Sequence, residues 1–357
     1  MVGKRSEGGC VFACRHPAVL WTVTERCAVC PHRTVANLPG IPAAPAAEAA
    51  LAEAHRATAA AAPPSRRESR QERLARKRQQ RQANLGPPQP PLILTRDHQP
   101  AGLANAWFDG HLFLTLSGPS LNALPLAQLS QRGVMTMGVN NSACVVRPNL
   151  WTFVDPVEKF HQAIWHDPAI IKLVPVKRFH EKIRVREGDR WSYSERLACE
   201  CPGVFGYVRG ADFDPATYLT QPEVCMGNCK KKAAQNQRPH IINVMFVVFR
   251  LAYHLGFRHV YLLGCDFRME HGQSPYAFAE EKHAGAVNSN NNSYLKLNIM
   301  LGQLAPRLQA AGMQVYNCTA KSGLVAFPHL NFAEAIHRAC AAIPRTLDTC
   351  GWYTKGE

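Results

Sequence analysis

Two sets of residues in this chain of 357 amino acids could do chemistry by their type and spacing. The first is a set of thiols. Cys10-x3-Cys14 and Cys27-x2-Cys30 are two close pairs in a short polar segment, with His16 and His32 beside them. Four soft ligands at such spacing suit tetrahedral zinc, and a segment with so few large apolar residues would need the metal to fold. The second set is small, amide and carboxylate residues that follow apolar runs: Gly118, Pro119 and Ser120; Asn140 and Asn141; Asp155; Gly264 and Asp266; Asn317, Ser322 and Gly323. These groups suit hydrogen bonds to a base, a ribose and phosphates. Neither a G-x-G-x-x-G dinucleotide fingerprint nor a G-x-x-x-x-G-K-S/T phosphate loop is present.

The elements that must position the second set are legible as apolar runs. HLFLTL (111–116), VMTMGV (134–139), LWTFVD (150–155), IIKLVPV (170–176), HVYLLG (259–264) and MQVYNC (313–318) predict strands. Helical periodicity falls over 156–165, 241–256, 291–311 and 331–343. Alternation of these elements predicts an α/β fold: a Rossmann-like, mostly parallel sheet with helices on both faces, occupying 103–345. In such sheets ligands bind beyond the carboxyl ends of the strands, which is where the second set lies. The irregular, charged stretch 178–238 predicts an insertion acting as a lid or substrate-specific subdomain.

Ahead of this domain, residues 1–34 predict a small zinc-ribbon-like module. Residues 35–102 predict an Ala/Pro/Arg-rich linker, partly helical, and 346–357 a C-terminal tail. Between Glu53 and Arg81 the linker has nine Arg or Lys against three Glu, within a formal net charge of +15. Such a segment is a solvated helix or attracts nucleic acid. There is no apolar run long enough to span a membrane and no secretory signal, which with thirteen cysteines predicts a cytoplasmic protein with thiols and metal sites. A second cysteine set, Cys199, Cys201, Cys225 and Cys229, is a weaker zinc candidate. Cys144, Cys265, Cys318, Cys340 and Cys350 read as small core residues.

The stretches LSGPSLNALPLAQL, GVNNS, FVDP, LAYHLGFRHVYLLGCDF, SPYAFAEEK and VYNCTAKSGLVAFP resemble, in this order, the bacterial CMP-sialic-acid sialyltransferases. They also resemble the motility accessory glycosyltransferases and the 6-hydroxymethylpterin diphosphokinase-like proteins, and the 147–156 region is nearer the latter. The resemblance covers roughly 111–336. It implies a nucleotide-activated donor, with Gly118 and Ser120 approaching its phosphate and Asn140 and Asp155 near the ribose or base. Tyr276 matches a tyrosine whose hydroxyl assists the leaving phosphate. The general base would be His283, with His271 or Asp266 as substitutes.

The expectation is a glycosyltransferase-like enzyme acting by single displacement on an acceptor hydroxyl, with modified DNA in a phage or bacterial setting as one candidate acceptor. The rivals are a Mg-dependent diphosphokinase-like phosphotransferase, with Asp155 and Asp266 beside the metal, and a nucleic-acid-binding adaptor whose Rossmann-like domain is inactive.

Overall fold

The computed structural model describes Glu72 and residues 89–188, 190–228, 241–280 and 284–341. The chain divides between Arg81 and Gln82, and the architecture below belongs to the second unit. The cysteine module Cys10, Cys14, Cys27 and Cys30, the basic run of the linker, Cys229, His283 and the tail lie outside the described residues.

Twelve strands appear in chain order among the described residues: β1 (Ile93–Leu94), β2 (Gly110–Thr115), β3 (Met135–Val139), β4 (Leu150–Thr152), β5 (Ile171–Pro175), β6 (Lys182–Glu187), β7 (Arg190–Leu197), β8 (Val204–Tyr207), β9 (Gly227–Asn228), β10 (Ile241–Ile242), β11 (Phe257–Leu263) and β12 (Gln314–Asn317). Four α-helices accompany them: α1 (Gln162–His166), α2 (Val244–Leu255), α3 (Ala284–Ala310) and α4 (Phe332–Ala341).

One sheet has the order β1-β8-β5-β4-β3-β2-β11-β12, parallel throughout except where β1 meets β8. All six predicted strands are present. Side-chain alternation along them divides the core between two faces. Leu112, Leu114, Val260 and Leu262 join α2 and α3 on one face, including Phe246, Leu251, Leu297 and Leu301. Phe113, Tyr261 and Leu263 turn the other way, onto Phe332, Ala335 and Ile336 of α4. Trp151 and Val174 also face that way and pack with Ile164 and Trp165 of α1. Helices therefore cover both faces, as the continuous apolar strands require.

Sequence periodicity missed two sheet strands. β8 lies inside the stretch read as an insertion, and β1 inside the stretch read as linker. VFGY is only four residues long, contains Gly206 and is flanked by charge, so it lacks a strand's usual signature. What remains of the expected insertion is the β6–β7 ribbon and a loop segment ending in β9. Among the described cysteines, Cys265 and Cys318 are buried as expected, whereas Cys144 is exposed.

Chain order along the sheet fixes the place of a site. From β2 the chain steps one way through β3, β4, β5 and β8, then returns to the other side of β2 for β11 and β12. The reversal falls between β2 and β11, the crevice position at which an open parallel sheet ordinarily takes its ligand.

Candidate functional site

The crevice between β2 and β11 is built by glycines. Past the strand ends the two loops stay hydrogen-bonded: Leu116 N donates to Leu263 O at 2.8 Å and Gly118 N to Gly264 O at 2.9 Å. Gly264 has φ +65°, a left-handed conformation that favours glycine. At Gly118 φ is an ordinary −68°, but a Cβ there would lie 1.9 Å from Asp266 Oδ2 and 2.5 Å from Gly264 O. Glycine is needed at 118 because the carboxylate of Asp266 fills the space of a side chain. Pro119 then opens a short 3-10 turn, Pro119–Ala123. Its next residue, Ser120, donates from Oγ to Asp266 Oδ2 at 2.7 Å, with Ser120 N at 3.4 Å from the same oxygen.

Asp266 thus latches the first loop to the strand opposite. The loop after β12 fastens the same segment from its other side. Cys265 N donates to Thr319 Oγ1 at 2.8 Å, Ser322 Oγ donates to Cys265 O, and Gly323 N donates to Asp266 O at 2.7 Å. A Cβ on Gly323 would lie 2.6 Å from Phe267 O, so this contact also requires glycine. Asn317 is buried, and its side-chain oxygen accepts from Thr319 N at 3.0 Å, shaping the turn itself.

Tyr276 comes to the same crevice. The backbone of the next residue, Ala277, donates from N to Ser117 O at 2.9 Å and accepts from Asn122 Nδ2 at 2.8 Å. The Tyr276 ring stacks on Phe278 with centroids 5.3 Å apart. A second tyrosine, Tyr294 of α3, stacks on Phe267 at 5.0 Å. Burial, reinforced by neighbouring Tyr276, Cys265 and Asp266, pushes the Tyr294 hydroxyl well above the usual phenol range. It stays a neutral donor at physiological pH.

Asparagines of α3 hold the far wall. Asn291 accepts from Met269 N at 2.8 Å and donates to Met269 O at 2.9 Å. Asn298 donates to Gly323 O at 2.8 Å and accepts from Val325 N at 3.1 Å. Two turns apart on one helix face, they tie the loops after β11 and β12 to a rigid element. His271 hydrogen-bonds the Asn288 side-chain oxygen at 3.0 Å. Sequence periodicity starts this helix at 291; it begins by Ala284, because the poor helix formers of NSNNNS spend their side chains on the adjoining loop.

The other candidates lie elsewhere along the same edge of the sheet. Asn140 has φ +52°, and its carbonyl accepts from Trp151 Nε1 at 2.8 Å. Its own side-chain oxygen is buried without a hydrogen-bond partner. Asn141 shares that 3-10 turn, Asn140–Cys144, which Ser142 fastens to β2 by donating to Thr115 O at 2.8 Å. Asp155 is half exposed and pairs with Lys159 at 3.2 Å. It follows β4, three strand spacings from β11 and therefore about 14 Å from Asp266 along the edge. The two carboxylates are not placed to share one ion.

Among the described residues no three His, Cys, Asp or Glu side chains group to hold a metal. Of the second cysteine set, Cys199 and Cys201 pack in the cluster around Trp151, while Cys225 belongs to the cluster on the opposite face of the sheet. The described members of that set are therefore core residues and not joint ligands. Residues that sequence reading did not single out are Tyr294, Asn291 and Asn298. The asparagine run was their one visible signal.

No family model matches the chain, and no curated protein matches it. A solved MAf glycosyltransferase from Magnetospirillum magneticum AMB-1 shares 12% identity with it at a TM-score of 0.35, over 66% of this chain and 37% of that one. This chain thus spans little more than a third of that protein, and a likeness so slight carries no argument. The case for a site rests on the crevice.

Proposed function

We propose that the crevice between β2 and β11 holds a nucleotide-activated sugar and that the protein is a glycosyltransferase-like enzyme. The observation that carries this reading is the convergence at the reversal of strand order. Loops after β2, β11 and β12 and the 274–278 segment are hydrogen-bonded around Asp266 there. Such a reversal is the ordinary ligand site of an open parallel sheet. The sequence resemblance supplies the donor class.

Asp266 divides the crevice electrostatically. Its carboxylate disfavours a phosphate placed against it and favours a hydroxyl. The phosphates would therefore lie toward the phenols of Tyr276 and Tyr294, and the ribose or acceptor hydroxyl toward Asp266. In the reaction the acceptor oxygen bonds to the anomeric carbon as the bond from that carbon to the phosphate oxygen breaks. The acceptor proton passes to a base, His283 or Asp266, and the departing nucleotide keeps the electron pair. Tyr276 would donate a hydrogen bond to that leaving charge.

Calorimetric titration of the full chain with CMP, UDP, GDP, ADP and ATP, each with and without Mg²⁺, tests the class. Binding of one of the first three without Mg²⁺ is expected, and donor turnover should fall about 100-fold in Tyr276→Phe. Binding of ATP alone, and only with Mg²⁺, would establish the diphosphokinase reading. No nucleotide binding at all would favour the adaptor.

A further inference from the structure

The β6–β7 ribbon leaves the carboxyl edge of the sheet just after β5, the same edge that carries the crevice. Its register puts Arg184 opposite Tyr193 and Arg186 opposite Trp191 on one face, and Val185 opposite Ser192 on the other. The second face is anchored: Ile183 is fully buried and Val185 packs on the cluster around Trp151. Arg186 N also ties the ribbon to α1, donating to Gln162 Oε1 at 2.6 Å. The first face is outward. Among the described residues the two most exposed large aromatic side chains, Trp191 at 44% and Tyr193 at 58%, are both on it.

The chemistry of that face is consistent along its length. The Arg184 guanidinium lies 4.4 Å from the centre of the Trp191 ring, and that of Arg186 lies 5.8 Å from it. Two carboxylates beside that face are engaged: Glu195 pairs with Lys182 at 2.9 Å, and Glu158 accepts from the Tyr193 hydroxyl at 2.5 Å. A cleft of about 230 Å³ opens at the ribbon's root, lined by Pro156, Glu158, Arg178, Glu181, Lys182 and Tyr193. Exposed flat rings alternating with guanidinium groups on a rigid ribbon match a partner that alternates flat rings with phosphates.

We propose that the outward face of the β6–β7 ribbon docks single-stranded nucleic acid, with bases stacking on Trp191 and Tyr193 and phosphates on Arg184 and Arg186. This surface is built from residues other than those of the cysteine module and the basic linker, and it does not depend on the transfer reaction. The ribbon's root lies on the crevice's edge of the sheet, between three and four strand spacings (about 17 Å) from the reversal of strand order.

The test is fluorescence anisotropy with the full chain and two labelled strands of equal length, an oligothymidylate and its abasic counterpart. Both carry the phosphates that any basic segment attracts, but only the first carries bases. Trp191→Ala should weaken oligothymidylate binding about tenfold while leaving the abasic strand unchanged, and Trp191→Phe should retain most of the binding. Arg184→Gln should lower the salt slope on oligothymidylate by about 0.7. Equal losses on both strands, or none on either, would overturn the proposal. So would loss of binding to a sulfated polysaccharide or an acidic protein without loss on oligothymidylate. A thermal melt matching wild type keeps the variants interpretable, since Trp191 is exposed and Arg184 lies outside the buried core.

Discussion

Gly118→Ala isolates the packing of the crevice from backbone strain, because φ at this residue is −68° and any side chain tolerates it. The added Cβ would stand 1.9 Å from Asp266 Oδ2 and 2.5 Å from Gly264 O. The carboxylate must withdraw by about 1 Å or more, and the Gly264 carbonyl, being backbone, can yield less. Overpacking of this kind costs about 1–3 kcal/mol, and the displaced Ser120–Asp266 hydrogen bond about 1 more. At about 2–4 °C per kcal/mol for a domain of this size, Tm should fall by roughly 4–16 °C. Circular dichroism melts of the full chain measure it. Gly118→Ala combined with Asp266→Ala removes the nearer obstruction but not the carbonyl, so it should recover part of the loss. A single mutant melting within about 1 °C of wild type would refute the packing argument.

Other expectations follow from buried polar groups. Lys172 is fully buried and donates to Asp167 O, Ile170 O and Pro202 O at 2.6, 3.0 and 2.8 Å. Lys172→Met removes the ammonium donor from the Ile170 and Pro202 carbonyls and leaves Asp167 O only its longer bond from Ile170 N at 3.4 Å; it should cost about 3 kcal/mol, read as a lower denaturation midpoint. Burial holds His254, reinforced by Arg250, and His111, reinforced by His259, down to about 4 from the usual 6.5. The unfolded chain then binds more protons between those values, so this stability is complete above pH 6.5 and is lost as pH falls toward 4. Denaturant titrations across that range should show the decline, smaller in His254→Leu; a flat profile would contradict it. Asn291→Ala removes both bonds to Met269 and should speed amide exchange in the 266–271 loop while leaving that of β11 unchanged. Metal analysis of the purified chain should find one zinc, absent after Cys10→Ser and Cys27→Ser together.

The sheet was legible because its central strands are continuous apolar runs, and because turn residues follow them at regular intervals. Even the crevice could be anticipated from Ser117-Gly118-Pro119-Ser120 and Gly264-Cys265-Asp266 as strand-end turns. What their order could not convey is pairing. Asp266 reads as a base or metal ligand in the sequence, and only the folded chain puts it against Ser120. β8 stayed hidden because Val204–Tyr207 owes its strand state to β5 and β1 on either side and not to its own pattern. The asparagines of α3 misled helix assignment for the related reason that their contacts are tertiary. The β6–β7 ribbon was visible only as charge, since facing pairs such as Arg186 and Trp191 follow from register.

Hydrogen–deuterium exchange of the full chain, with and without the nucleotide that binds tightest, addresses the central claim most directly. The account predicts protection confined to 116–122, 264–268, 274–278 and 317–324, the segments hydrogen-bonded around Asp266. Protection centred on the turn at Asp155 or on the β6–β7 ribbon, with those four segments unchanged, would contradict it.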